Sequence, residues 1–141
     1  MKSTPNWQPL SALPMMASMV SEQLADVQQQ LDTLKSVQSR PHVLDKATVE
    51  RMLQVYGEQH AFLWVYDEQV MRWQREVLTN EQRLMLEEMA QQLIELNSAL
   101  TEILSMADAF KGKTIESILG KSDLEIAMEF LSGDLQPPSE R

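Results

Sequence analysis

The chain contains no cysteine. That excludes disulfides, thiolate nucleophiles, iron–sulfur clusters and Cys-type zinc sites, and it accords with a cytoplasmic protein. Histidine is almost as scarce, with only His42 and His60. Neither Glu-x-x-His nor His-Glu-x-x-His occurs, although di-iron bundles and zinc proteases are built on those spacings. No metal or cofactor is expected. Nucleophilic catalysis needs a nucleophile held against a base and an orienting group, and with these residues missing only carboxylate chemistry remains. No apolar run approaches the ~18 residues that a bilayer span requires. Lys2 and the apolar stretch Leu10–Val20 resemble a secretory leader. Pro5, Pro9 and Pro14 interrupt that pattern, and no small-x-small cleavage site follows cleanly.

Glycine is also rare, at four in 141 residues, while Leu, Gln, Glu and Met are plentiful. This composition predicts an all-α fold of one domain. The net charge is −9. It is uneven: the first forty residues balance, 41–79 carry four basic residues against six acidic, and 80–141 carry five against twelve. Such a chain repels phosphate backbones and anionic lipid, so neither nucleic-acid nor membrane binding is expected. The acidic C-terminal half is either a solvated face that aids solubility or a docking face for a basic partner.

The clearest periodicity runs through Val49, Met52, Tyr56, Gln59, Leu63, Tyr66, Val70, Trp73 and Val77. Its unbroken 3-4 spacing is the seam of a helix that packs lengthwise on others. Phe62, Trp64 and Val65 put apolar groups on the remaining sides at its centre, which predicts that the helix is enclosed at that level. We expect this helix to span 46–78, with Asp45 as its N-cap. Gly57 inside it marks either a close approach by a neighbour or a bend. A preceding helix over 14–39 carries the stripe Met16, Val20, Leu24, Val27, Leu31, Leu34 and ends before Pro41.

A third seam follows: Leu86, Met89, Leu93, Leu96, Leu100, Ile103, Ala107, Phe110. It is displaced by two residues from the register of the second, a shift that a continuous coiled coil absorbs poorly. Thr79 and Gln82 have capping-box spacing. A turn near 78–80 and a helix over 80–110 therefore account for the pattern better than one long rod. Short helices are expected over 114–119 and 123–132. Residues 1–13 read as an extended arm, either free or pinned by Trp7, and 134–141 as a disordered tail. The expected architecture is an elongated antiparallel three-helix bundle or coiled-coil hairpin with two short C-terminal helices.

Three features suggest chemistry. Residues 107–114 (ADAFKGKT) fit a relaxed phosphate-loop pattern, but that loop must follow a strand, and a helix stop followed by a helix start explains the same residues. Glu88, Glu95 and Glu102 recur every seventh residue, as a solvated helix face does. Met15, Met16 and Met19 cluster at the start of the first helix, where ten methionines in all suggest either core filling or an adaptable partner groove.

The residues singled out for interaction are Gln59, as a polar group in an apolar seam, Phe62, Trp64, Val65 and Trp73, and the acids Glu88, Glu95 and Glu102. Arg72 and Arg75 are expected to pair with acids of the third helix. The leading functional expectation is a non-enzymatic protein that binds a protein partner, or its own copy as a homodimer, by helix-to-helix contact. One alternative is an acidic masking protein (a chaperone, an inhibitor or a nucleic-acid mimic) that covers a basic partner. Another is a ligand-binding or carboxylate-using helical bundle.

Overall fold

The computed structural model describes residues 5–40 and 43–114. It is all-helical, with three helices packed together and no strand among the described residues. After a single 3-10 turn at Leu10–Ala12 come α1 (Leu13–Ser36), α2 (Lys46–Gln74) and α3 (Asn80–Phe110). The short helices expected over 114–119 and 123–132 and the tail lie outside the described residues, apart from Thr114.

Local chemistry explains the starts. Pro14 sits in the first turn of α1, where its missing N–H has no helical partner. Asp45 takes an extended conformation and accepts a 2.6 Å hydrogen bond from the Thr48 backbone N–H. At α3 both halves of a capping box are present: Gln82 N–H donates to Thr79 Oγ1 at 3.1 Å, and Thr79 N–H donates to Gln82 Oε1 at 2.9 Å.

Two ends differ from the sequence expectation. α1 stops at Ser36, not 39, because Val37 and Gln38 donate to Leu34 and Lys35 in a tightened last turn. α2 stops at Gln74, not 78. Thr79 must be extended to cap α3 (φ −70°, ψ 164°), so the chain leaves the helix several residues earlier. Val77 consequently drops out of the seam and is 97% exposed. At the far end of α3, Gly112 adopts φ 78°, the left-handed conformation that ends a helix at little cost in glycine.

The central helix is α3, not α2. The backbones of α1 and α2 each run close along α3 but hardly approach one another. The α3 stripe is wide enough for two neighbours: Ala99 is buried beside the Leu86–Phe110 seam, so the helix closes against both sides. The start of α1 lies by the end of α2, through Gln8, Gln69 and Trp73, and Lys35 near the end of α1 pairs with Glu102 of α3 at 3.3 Å. Gly57 marks no close approach, since nothing lies within 4 Å of a Cβ built there.

Candidate functional site

Because α1 and α2 diverge above α3, their seam is spanned by long polar side chains. Gln59 Nε2 donates to Gln23 Oε1 and Gln23 Nε2 donates to Tyr66 Oη, both at 3.1 Å. Gln59 is therefore a half-buried bridge and not an enclosed seam residue. Beside this bridge, burial and then the negative charge of Asp26 push the Tyr56 phenol above its usual range.

On the side of the bridge toward the N-terminal arm the helices leave an open groove of about 820 Å³. One wall is the first turns of α1, with Met15, Met16 and Met19. The other is α2 from Glu58 to Gln69, and residues 5–8 close one end. Among the described residues the surface is mainly apolar and aromatic, with Glu58 as its one charged side chain. The level of α2 expected to be enclosed is in fact the open wall of this groove. Phe62 is 52% and Trp64 45% exposed, and Val65 is half-buried. The separation of α1 from α2 is the reason: among the described residues no helix covers that face.

The arm is fixed to α2 by Trp7, one of the two expectations for it, and by contacts of Gln8 that the sequence did not suggest. Gln69, only 2% exposed, accepts the Gln8 backbone N–H at 2.7 Å and donates back to the Gln8 carbonyl at 3.4 Å. Its side-chain amide thus pairs with the backbone N–H and carbonyl of one residue, as a residue of a neighbouring antiparallel strand would. Trp73 is fully buried and donates its indole N–H to the same carbonyl at 3.2 Å. Trp73 is therefore a core residue that anchors the arm. Trp7 then stands edge-on to Trp64, with ring centroids 6.4 Å apart, and the Arg72 guanidinium lies 4.3 Å from the Trp7 centroid. Arg72 also pairs with Glu68 of its own helix at 3.3 Å, in place of the expected α3 acids. Phe62 meets Tyr66 edge-on at 5.6 Å. These aromatic contacts hold the wall in one arrangement.

No family model, curated protein or solved structure matches this chain.

The other singled-out residues lie away from the groove. Glu88, Glu95 and Glu102 are exposed on α3, and Glu102 is committed to Lys35. His60 stands 3.4 Å from Thr101 on α3. The phosphate-loop pattern at 107–114 follows a helix, so its backbone cannot form the strand-to-helix cradle that the chemistry requires. No described helix is long and apolar enough to cross a membrane.

Proposed function

We propose that this is a non-enzymatic, cytoplasmic interaction protein that binds a helical segment of a protein partner through the groove between α1 and α2. In this reading α2 and α3 form an antiparallel coiled-coil hairpin within an elongated three-helix bundle, and α1 with the arm turns its open side into a receptor. The observation that carries the proposal is the exposure of Phe62 and Trp64 in a wall against which Trp7 of the arm packs. Exposed aromatics in a preformed apolar trough are what an amphipathic helix buries when it docks. The methionines supply an adaptable opposite wall. Glu88, Glu95 and Glu102 line neither this groove nor the smaller cleft at Glu76 and Glu87, so the groove itself owes nothing to the acidic face of α3.

The test is a photo-crosslinking residue placed at position 62 and, as a control, at the exposed position Ile94 on α3. In the native host, position 62 should give adducts with another polypeptide, and a Met15→Glu, Met19→Glu double variant should remove them. Equal labelling from positions 62 and 94, or none from 62, would refute the proposal.

A further inference from the structure

Among the described residues, acids predominate around the groove. Glu58 lines it, Glu22 lies one turn along α1 from Met19, and Asp26 lies further on, beyond the Gln23–Gln59 bridge and beside Tyr56. Among the described residues these three acids enter no ion pair. The nearby cation, Arg72, is already held by Glu68 and by the Trp7 ring. Among the described residues, the acids at the open apolar trough therefore have no ion-pair partner of their own.

Three occupants can be compared on charge. A second copy seated by a two-fold axis would bring two patches of the same net negative charge together, with like groups meeting at the axis. The chain's own residues 115–141 contain an apolar repeat but carry six acids (Glu116, Asp123, Glu125, Glu129, Asp134, Glu140) against Lys121 and Arg141. They would meet the same repulsion. A segment with an apolar face flanked by lysine or arginine meets neither obstacle. Its apolar face would fill the trough between the methionines and Phe62, and its cations would reach the three acids.

We infer that the groove takes a basic amphipathic helix from a different protein, recognised by an apolar face and by cations opposite Glu22, Asp26 and Glu58. This rests on the interaction reading above and adds the chemistry of the partner. Docking is then steered by charge and weakens with salt, while the apolar face supplies the contact area.

The test uses the full chain and two synthetic helical peptides with the same leucine face, one with lysine and one with glutamate on its other positions. Titration calorimetry should show the lysine peptide binding at least about tenfold more tightly, with the preference shrinking as salt is raised. A Glu22→Lys, Asp26→Lys, Glu58→Lys variant should lose that preference. Phe62→Glu should weaken binding of the lysine peptide although it adds a negative charge, with circular dichroism verifying that the helices remain. Stronger binding to Phe62→Glu would mean adsorption by net charge alone and would overturn the inference. Equal affinity for both peptides, lost in Phe62→Glu, would also overturn it but leave the interaction reading intact. So would a salt-resistant dimer in sedimentation that Phe62→Glu dissociates, or displacement of the lysine peptide by a peptide of residues 115–132. No binding of either peptide, together with no adduct at position 62, would remove both.

Discussion

Trp73 donates its indole N–H to the backbone carbonyl of Gln8, across 65 positions of sequence. This bond and the reciprocal pair made by Gln69 attach the arm to α2 through two side chains and the backbone N–H and carbonyl of one residue. Trp73→Phe keeps most of the packing and removes the donor, so it should lower stability by about 1 kcal/mol. Gln69→Leu leaves the Gln8 N–H without its acceptor and should cost about 1–3 kcal/mol. Urea denaturation measures both. Limited proteolysis should cut between residues 5 and 12 sooner in Gln69→Leu than in the parent, and equal rates would mean that the pairing does not hold the arm.

Thr79 caps α3 with a reciprocal pair of hydrogen bonds at an exposed site. Thr79→Ala should cost about 1 kcal/mol, read as a lower urea midpoint with an unchanged slope. Thr79→Ser should recover most of that loss, because the hydroxyl alone makes the contact.

Gly57 lies inside α2 with open space where a Cβ would go. Gly57→Ala should stabilise the protein by about 0.5–1 kcal/mol, through helix propensity and a less flexible unfolded chain. A loss of stability in thermal denaturation would show that the glycine serves a contact made only in a complex.

Hydrogen bonding from the Thr48 side chain, and then from its backbone N–H, holds the Asp45 carboxyl below its usual range. A carboxylate with a depressed folded-state pKa contributes stability above its unfolded pKa of about 3.9 and loses it as pH falls through the folded value. The parent should therefore lose stability relative to Asp45→Asn on going from pH 5 to pH 2.5, because asparagine caps without titrating. Parallel denaturation curves at both pH values would contradict this. Asp67 runs the other way: burial raises its pKa, so its contribution improves as pH falls toward and through that raised value. Comparing Asp45→Asn with the parent cancels that opposing trend.

Local signals were legible in the sequence, and the groove was only partly so. Thr79 and Gln82 are three residues apart, so their mutual capping is a short-range fact that a reader of the chain can find. The α3 seam was equally plain, because nearly every buried residue falls on one 3-4 repeat. Phe62 and Trp64 stood out as surplus apolar surface. Their number cannot reveal whether a neighbour covers them; that depends on how far α1 stands from α2. Met15 and Met19 were visible as a cluster, and only the fold sets them across from Phe62. Gln69 was missed because it lies off the seam and is polar. Its partner is a peptide group 61 residues away, and a backbone atom leaves no mark in the side-chain pattern.

That last contact bears on how the protein could vary among its relatives. The arm is gripped by the backbone N–H and carbonyl of residue 8, while the Gln8 side chain turns to the exposed carbonyl of Asn6. Position 8 is therefore free to drift to almost any amino acid except proline, which has no N–H to give. Positions 69 and 73 have no such freedom, since their side chains do the gripping. In a set of homologues, an invariant Gln–Trp pair opposite a variable arm residue would be the record of this attachment, and the two would change only where the arm itself is lost.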